Sequence, residues 1–389
     1  MIKRVIAVLI AGAVSIPAQS AVFEIPDEQT QVVGQNIVVY TNKEDTLLDI
    51  ARNFDLGYGD IVNANPDIDA WVPGDNKRII VPTRFVLPDA PREGIVINIP
   101  EMRLYYYPKA VSGQPQQVVT HPIGIGREGR DTPFGKFSII QKRENPTWTP
   151  PESIRKEHAA EGDILPAVVP AGPNNPLGTR AMRLSNPSYL IHGTHRPYGV
   201  GLRVSSGCIR LFPEDIESLY SKVPMNTSVN IIYSPFKAGM QNNALYIESH
   251  KQLDDLDKGD ADAYNMTPII QAMLAVTDKL PEGDVWTKAD NVLLDSNGVV
   301  HSLSGEEAPI VEDIWFIHGG TGQKVPAKMH SAIKQLQIEN LFWPVRGGTV
   351  GEIVLGPFES REQADDMAAR VSEAAGTPVW TVQLPDTML

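Results

Sequence analysis

Residues 189–211 read YLIHGTHRPYGVGLRVSSGCIRL and contain the single cysteine of this 389-residue chain. The apolar residues Leu190 and Ile191 lead to His192 and Gly193, which is typical of a strand that leads into a loop. Cys208 follows Gly207 and precedes Ile209. A thiol needs a base to become a nucleophile, and histidine often supplies it. The stretch therefore indicates a candidate cysteine–histidine pair at strand-to-loop positions.

Each residue of the pair also has a simpler interpretation. A lone cysteine is most often a small buried apolar residue, and a histidine after an apolar run is often a core residue. A zinc site made of His192, His195 and Cys208, with water as the fourth ligand, is a further alternative. No carboxylate lies between the two histidines to act as a base. We therefore favour the nucleophile, and expect no metal and no cofactor.

Charge and cysteine content narrow the classes of function. The net charge is −13, but residues 94–235 carry a net charge of +4 and the segments on either side are acidic. A single cysteine excludes an internal disulfide, an iron–sulfur cluster and a four-cysteine zinc site. Without a basic run that contains aromatic residues, a nucleic-acid partner is not expected. Arg203 and Arg210 flank Cys208, and we expect them to lower the pKa of its thiol toward the thiolate.

The central domain, residues 94–236, is predicted to be mostly β. Short β-type runs separated by turn residues favour a sandwich or a barrel. The runs are Ile95–Ile99, Leu104–Tyr107, Gln117–Thr120, Lys136–Ile140 and Ser228–Tyr233. Clusters of proline and glycine within residues 145–178 predict a long ordered loop or lid. A helix is expected from Glu214 to Tyr220, with acidic residues in its first turn.

These motifs resemble the YkuD/ErfK family of L,D-transpeptidases. The resemblance rests on His192-Gly193-Thr194, on Val200 to Leu211, on Gly124-Ile125-Gly126 and on Thr132 to Phe137. It implies that Cys208 is the nucleophile, that His192 is the general base and acid, and that the Gly193 carbonyl orients the imidazole. It further implies an oxyanion hole from backbone amides at Ser206, Gly207 and Cys208, and a structural or carboxylate-binding role for Arg210. Ser206 stands where many members carry a histidine.

The family resemblance also implies a reaction on peptidoglycan. Cys208 would attack a tetrapeptide stem, release D-Ala, and pass the acyl group to an amine. The product would be a 3→3 crosslink or a lipoprotein attached to the wall, so that stem peptides, glycan strands and an outer-membrane lipoprotein are the expected partners. Two alternatives stay open: a cysteine L,D-carboxypeptidase or hydrolase that uses water, and a non-catalytic wall-binding scaffold.

The first twenty residues are predicted to be a signal peptide. Lys3 and Arg4 precede an apolar run from Val5 to Ile16, and small residues follow at Ala18 to Ala21. A positive segment, a short apolar segment and small residues are the parts of a secretory signal. The alternative is a retained N-terminal anchor. We expect export to the periplasm and no membrane span after cleavage, since no later segment is long and apolar enough.

Residues 37–83 predict a small βααβ module. A β-rich run at Ile37–Tyr40 is followed by helical spacing after Asp45-Thr46, by a second short helix ending at Asn65-Pro66, and by the strand Arg78–Val81. This pattern resembles a LysM domain, which implies binding to glycans that contain N-acetylglucosamine. The alternative is a module of the same fold without a ligand.

The C-terminal part is predicted to contain an extension and a further α/β module, which makes the whole chain a multidomain α+β protein. Residues 237–311 are read as a family extension with a helix at 269–280 and an acidic linker at 254–262. Residues 312–386 predict a βαββαβ order with helices at 326–341 and 360–375. Residues 356–364 resemble a motif of SPOR domains, which implies binding to glycan strands without stems. A generic α/β cap on the enzyme is the alternative.

Overall fold

A computed structural model describes residues 21–253, 266–279, 282–304, 314–322, 325–338, 340–344 and 351–384. The predicted signal peptide and the predicted acidic linker lie outside these residues. Within them, no helix combines the length and the apolar character that a membrane crossing requires.

The described residues form strands and helices from the N-terminal to the C-terminal module. The strands are β1 (Ala21–Ile25), β2 (Val32–Gly34), β3 (Ile37–Tyr40), β4 (Arg78–Val81), β5 (Arg84–Val86), β6 (Gly94–Asn98), β7 (Arg103–Tyr107), β8 (Gln116–Pro122), β9 (Ile125–Gly126), β10 (Gly135–Glu144), β11 (Arg180–Leu184), β12 (Leu190–His192), β13 (Arg203–Ser205), β14 (Ile209–Arg210), β15 (Ser228–Ile232), β16 (Phe236–Gln241), β17 (Ala244–Ser249), β18 (His301–Ser302), β19 (Trp315–Gly322), β20 (Asn340–Pro344), β21 (Gly351–Phe358) and β22 (Trp380–Gln383). The helices are α1 (Leu47–Asn53), α2 (Tyr58–Ala64), α3 (Glu152–Ala160), α4 (Pro213–Lys222), α5 (Thr267–Leu274), α6 (Val285–Asp295), α7 (Ala327–Leu336) and α8 (Arg361–Ala375).

The central domain is built on one nine-stranded sheet, which confirms the mostly-β prediction. Its strand order is β1-β8-β7-β6-β15-β10-β11-β12-β14. Its core contains apolar residues from the middle strands and from α4, among them Ile97, Met182, Ile191 and Ile216. The segment predicted as a lid contains α3, which has no buried residue.

One edge of this sheet comes from outside the predicted central domain. Strand β1 pairs antiparallel with β8, with Ala21 opposite Thr120 and Ile25 opposite Gln116. This strand is not predicted from the sequence, because five residues without a neighbouring strand in the chain give no pairing signal. The catalytic sheet therefore begins before the 37–83 module and continues after it.

The N-terminal and C-terminal modules share a second sheet. Strands β3 and β4 flank α1 and α2, and the six-stranded order β20-β21-β19-β22-β3-β4 joins them to the C-terminal module. Side chains alternate between its two faces, as strand geometry requires. One face packs against α1 through Phe316, Val354 and Trp380. The other face packs against α7 and α8 through Ile317 and Leu355. Helices therefore cover the C-terminal sheet on both faces.

The C-terminal elements follow the predicted βαββαβ order, with two corrections to helix bounds. Helix α7 ends at Leu336 and not at residue 341, because Gln337 adopts a left-handed conformation with φ of 55°. Helix α5 ends at Leu274 and not at residue 280. The extension also contributes the three-stranded sheet β16-β17-β18, which packs on α5 and α6.

Buried charges fix the 37–83 module on the central domain. Arg103, on β7, is 1% exposed, and its Nη2 lies 2.9 Å from Asp60 Oδ2 on α2. Arg52 of α1 makes two hydrogen bonds to Glu214 of α4, of 2.7 and 2.9 Å. The backbone N–H of Tyr58 donates to the carbonyl of Val200. The module therefore has one fixed orientation relative to the catalytic sheet.

Candidate active site

Two adjacent strands at the edge of the nine-stranded sheet hold the predicted cysteine and histidine. Strands β12 and β14 run parallel, and His192 is the register partner of Arg210. Cys208 lies two positions before Arg210, on the same face as His192. Strand spacing separates the Cα atoms of His192 and Cys208 by about 8 Å, a span within the combined reach of an imidazole and a thiol.

The environment of His192 selects one tautomer of its ring. The side chain is 4% exposed, and its Nδ1 lies 2.6 Å from the carbonyl oxygen of Gly193. Since a carbonyl can only accept, Nδ1 carries the proton and Nε2 keeps its lone pair. Burial first, and then the charge of Arg210, lower the pKa of His192 to about 3. The imidazole is therefore neutral at physiological pH and ready to take a proton on Nε2.

The thiol of Cys208 is half-buried at the other end of β12. Its Sγ lies 3.9 Å from the carbonyl oxygen of Ser188. Burial raises the pKa of the thiol, and this effect exceeds the lowering by the Leu190 backbone N–H and by Arg210 and Arg183. The expectation that flanking arginines hold a thiolate is wrong, because burial outweighs their charge.

Arg203, the second arginine expected to act on the thiol, has other partners. Its Nη2 lies 3.2 Å from Asp131 Oδ1, and its Nε lies 3.4 Å from the carbonyl of Gly126. The raised pKa of Cys208 and the lowered pKa of His192 both favour the neutral forms of these side chains in the resting site.

Hydrogen bonds hold the loop before Cys208 in a tight turn. Ser205 Oγ donates to the Cys208 carbonyl over 2.6 Å and accepts from the Gly207 N–H over 3.2 Å. Thr132 Oγ1 donates to the Gly207 carbonyl over 3.0 Å. Gly207 has φ of +101°, and a Cβ there would lie 2.8 Å from Tyr189 Cε1. An oxyanion role for the Gly207 amide therefore requires its bond to Ser205 to be given up.

Ser205 and Thr132 were not assigned roles from the sequence. Thr132 stands in the quoted motif of residues 132–137, but only the fold brings its hydroxyl to the cysteine loop. Ser206, in contrast, is exposed.

Arg210 lies in the site without a carboxylate partner among the described residues. Its Nε is buried and has no hydrogen-bond partner there, and burial lowers the pKa of its guanidinium. An unpaired cation that is partly removed from water is costly, so the position of Arg210 favours an anionic group from outside the chain.

The zinc alternative is not supported by the geometry. His195 is exposed, and among the described residues its ring, His192 and Cys208 do not form a group with ligand atoms within 4.8 Å of one another. Two buried groups elsewhere satisfy that distance: Asp55, His121 and Asp215, and Glu101, Glu248 and His250.

The second group already surrounds a cation of the chain itself. The Nζ of Lys237 lies 2.8 Å from Glu101 and 2.9 Å from Glu248. This arrangement is an ion-pair network between β16, β17 and the central domain.

The first group connects three elements behind the active site. His121 Nδ1 on β8 lies 3.3 Å from Asp215 Oδ1 on α4 and 3.8 Å from Asp55 Oδ2 after α1. Burial lowers the pKa of His121, but Asp215 and Asp55 outweigh it and raise the pKa to about 9. The protonated imidazole therefore holds two carboxylates from different modules.

Helix α4 also packs against the end of β12, the strand that contains His192. Ile216 packs closely on Gly193: a Cβ added to Gly193 would lie 2.8 Å from Cγ2 of Ile216. The Leu211 N–H donates to the His192 carbonyl over 2.9 Å. The 37–83 module thus contacts the helix that packs beside His192.

Comparisons with known proteins identify the family of the catalytic domain. The YkuD family model, described as the L,D-transpeptidase catalytic domain, matches residues 92–231. The Escherichia coli K12 protein named "Probable L,D-transpeptidase YcfS" is 44% identical over 63% of this chain and 77% of its own length. "Probable L,D-transpeptidase YbiS" of the same organism is 42% identical over 61% of this chain and 77% of its own.

A solved structure gives a weaker likeness. The Enterococcus faecium L,D-transpeptidase C442S mutant is 19% identical, covers 40% of this chain and 55% of its own, and has a TM-score of 0.27. With relatives above 40% identity aligned over three quarters of their length, and with a matching catalytic-domain model, the chain belongs to the YkuD/ErfK family of L,D-transpeptidases.

Proposed function

We propose that this enzyme is an exported, periplasmic peptidoglycan L,D-transpeptidase in which Cys208 is the nucleophile and His192 the general base and acid. The observation that carries the proposal is the hydrogen bond from His192 Nδ1 to Gly193 O, because it leaves Nε2 free to accept the thiol proton. The register of β12 and β14, in which His192 lies opposite Arg210 and Ile191 opposite Ile209, supports a contact between the two side chains.

The first half-reaction forms a thioester. His192 Nε2 takes the proton of the Cys208 thiol while the sulfur attacks the carbonyl carbon of the third stem residue. The bond from that carbon to the D-Ala nitrogen breaks, and His192 returns the proton to the leaving amine. Because the resting thiol is protonated, its proton has to pass to His192 before or during the attack.

The second half-reaction transfers the acyl group to an amine. The amine attacks the thioester, His192 accepts one of its protons, and the carbon–sulfur bond breaks as the thiolate takes that proton back. A crosslink results when the amine belongs to another stem, and lipoprotein attachment when it belongs to a protein. Water in place of the amine would make the enzyme a carboxypeptidase or hydrolase.

Arg210 is assigned to the substrate carboxylate. Its half-buried side chain lacks a carboxylate partner within the described chain, and the D-Ala that leaves carries a carboxylate. Charge-assisted hydrogen bonds to this group would hold the scissile carbonyl over the sulfur.

The flanking modules are proposed to act differently from each other. For residues 37–83 we propose the glycan binding of a LysM domain. For residues 312–386 the cap function is favoured over SPOR-like glycan binding, since both faces of the sheet are covered. A non-catalytic scaffold is disfavoured by the presence of Cys208, His192 and Arg210 in one site.

The test is product analysis with tetrapeptide muropeptides. The protein without its first twenty residues should release D-Ala and show a mass adduct on Cys208, and Cys208→Ser should abolish both. Ser206→Ala is the matched control in the same loop, because only its amide is assigned a role. Absence of both D-Ala and adduct would refute the enzyme mechanism, while tripeptide as the only product would favour the hydrolase.

The low pKa of His192 gives a second test. An ordinary histidine base would reduce kcat/KM as pH falls through about 6.5. Here the imidazole stays neutral down to about pH 3, so no such loss is expected between pH 8 and pH 5. A loss of activity centred near pH 6.5 would contradict the assigned environment of His192.

A further inference from the structure

Two exposed aromatic rings meet at the junction between the 37–83 module and the catalytic domain. Trp71 is 58% exposed and Tyr198 is 63% exposed. Their ring centroids are 6.3 Å apart, with planes inclined by 53°. Large apolar groups exposed together on a soluble protein usually mark a binding surface.

The backbone at both aromatic residues has a defined local structure. The N–H groups of Trp71 and Val72 both donate to Asp69 Oδ1 over 2.8 Å, and the Ala70 carbonyl accepts from the Leu47 N–H at the start of α1. Tyr198 lies in a short 3-10 turn, Pro197–Gly199. The backbone that carries the Trp71 ring is therefore ordered before a ligand binds.

A cleft continues from Tyr198 between the two modules. It is lined by α1 on one side and by Pro197, Tyr198 and Phe212 on the other. Asp49 and Arg52 line it as well, so the apolar rings stand beside a carboxylate and a guanidinium. A pyranose ring presents such a mixture: C–H faces that stack on aromatic rings and hydroxyl or amide edges that hydrogen-bond.

The cleft is also close to the active site. Gly199, next to Tyr198, lies so near Arg210 that a Cβ added to it would be 3.2 Å from Nη1. A sugar held by Tyr198 is thus a neighbour of the residue assigned to the substrate carboxylate.

We propose that Trp71 and Tyr198 form one sugar-stacking platform, and that it binds the N-acetylated glycan strand to which the stem peptide is attached. The proposal rests on the proposed function for the identity of the substrate. The catalytic domain itself contributes half of this platform, so glycan recognition is not confined to residues 37–83. The enzyme then selects stems that are still attached to glycan over free peptides.

Calorimetric titration with the tetramer of N-acetylglucosamine tests the platform directly. Each of Trp71→Ala and Tyr198→Ala should weaken binding about fivefold, the effect of losing one aromatic contact. Leu294→Ala, at an apolar residue that is 64% exposed on α6, is the matched control and should bind as the unchanged protein does. Unchanged binding by Tyr198→Ala, or no binding of the tetramer at all, would overturn the proposal.

A kinetic comparison tests the link to catalysis. The ratio of kcat/KM for glycan-attached tetrapeptide to kcat/KM for free tetrapeptide should exceed one, and should fall toward one in both platform variants. A ratio that does not change in the variants would overturn the proposal, while D-Ala release would still support the enzyme. Failure to release D-Ala from either substrate would refute the proposed function, and the titration would still decide the platform.

Discussion

The buried imidazole of His121 predicts that the protein loses stability as pH rises above neutrality. Its pKa is raised from 6.5 to about 9 by Asp215 and Asp55, against the opposing effect of burial. The folded state therefore holds this proton more tightly than the unfolded state does. The contribution is fully present below pH 6.5 and is lost as pH rises through 9. The difference in pKa corresponds to about 3 kcal/mol in the free energy of unfolding.

Asp215 acts in the same direction. Burial first, and the charge of Asp55 second, raise the pKa of its carboxyl group above the ordinary value. A raised pKa of an acid also gives a contribution that is present at low pH and is lost as pH increases. The two residues together make the cluster most stable on the acidic side.

Urea unfolding at a series of pH values from about 6 to about 10 measures the effect. The free-energy difference between the unchanged protein and His121→Gln should shrink by about 3 kcal/mol across this range. Asp215→Asn removes the main attraction on the imidazole, so its decline should begin at lower pH. His330→Gln, at an exposed histidine of α7, should follow the unchanged protein. A parallel decline in His121→Gln and the unchanged protein would refute the reasoning.

Two further substitutions probe the active-site loop and the buried ion pairs. Gly207→Ala places a Cβ 2.8 Å from Tyr189 Cε1 at a residue with φ of +101°. We therefore expect a loss of about 1–3 kcal/mol in the free energy of unfolding and a fall in D-Ala release. A variant with a normal melting temperature and normal turnover would contradict this. Lys237→Met leaves Glu101 and Glu248 buried without their cation. The midpoint of urea unfolding should fall by an amount equivalent to about 3–5 kcal/mol. An unchanged midpoint would show that the network makes no net contribution to stability.

The candidate cysteine–histidine pair could be predicted from the sequence because its signals are local. His192 and Cys208 each stand beside a glycine, and His192 follows the apolar residues Leu190 and Ile191. Both signals depend on a few consecutive residues. The pKa of Cys208 could not be predicted in the same way, since it depends on how much of the fold surrounds the thiol.

The contacts between modules depend on residues that are far apart in the chain. The cluster around His121 combines three parts of the chain, represented by Asp55, His121 and Asp215. Their positions in the sequence follow no regular spacing that would indicate a contact. A signal did exist in the charged residues that interrupt otherwise apolar strands: Arg103 before Leu104 and His121 after Thr120. A charge in such a position needs a buried partner, although the sequence does not identify which one.

The pairing of β22 with β3 affects the order in which the protein can fold. Tyr40 and Gln383 are 343 positions apart, yet the tyrosine hydroxyl donates to the glutamine side chain over 3.1 Å. Contacts of such long range slow folding, because a large loop must close before they form. During synthesis, one edge of β3 stays open while the whole catalytic domain is made. A chain that stops before Trp380 would keep that edge exposed, and an unpaired β edge promotes aggregation.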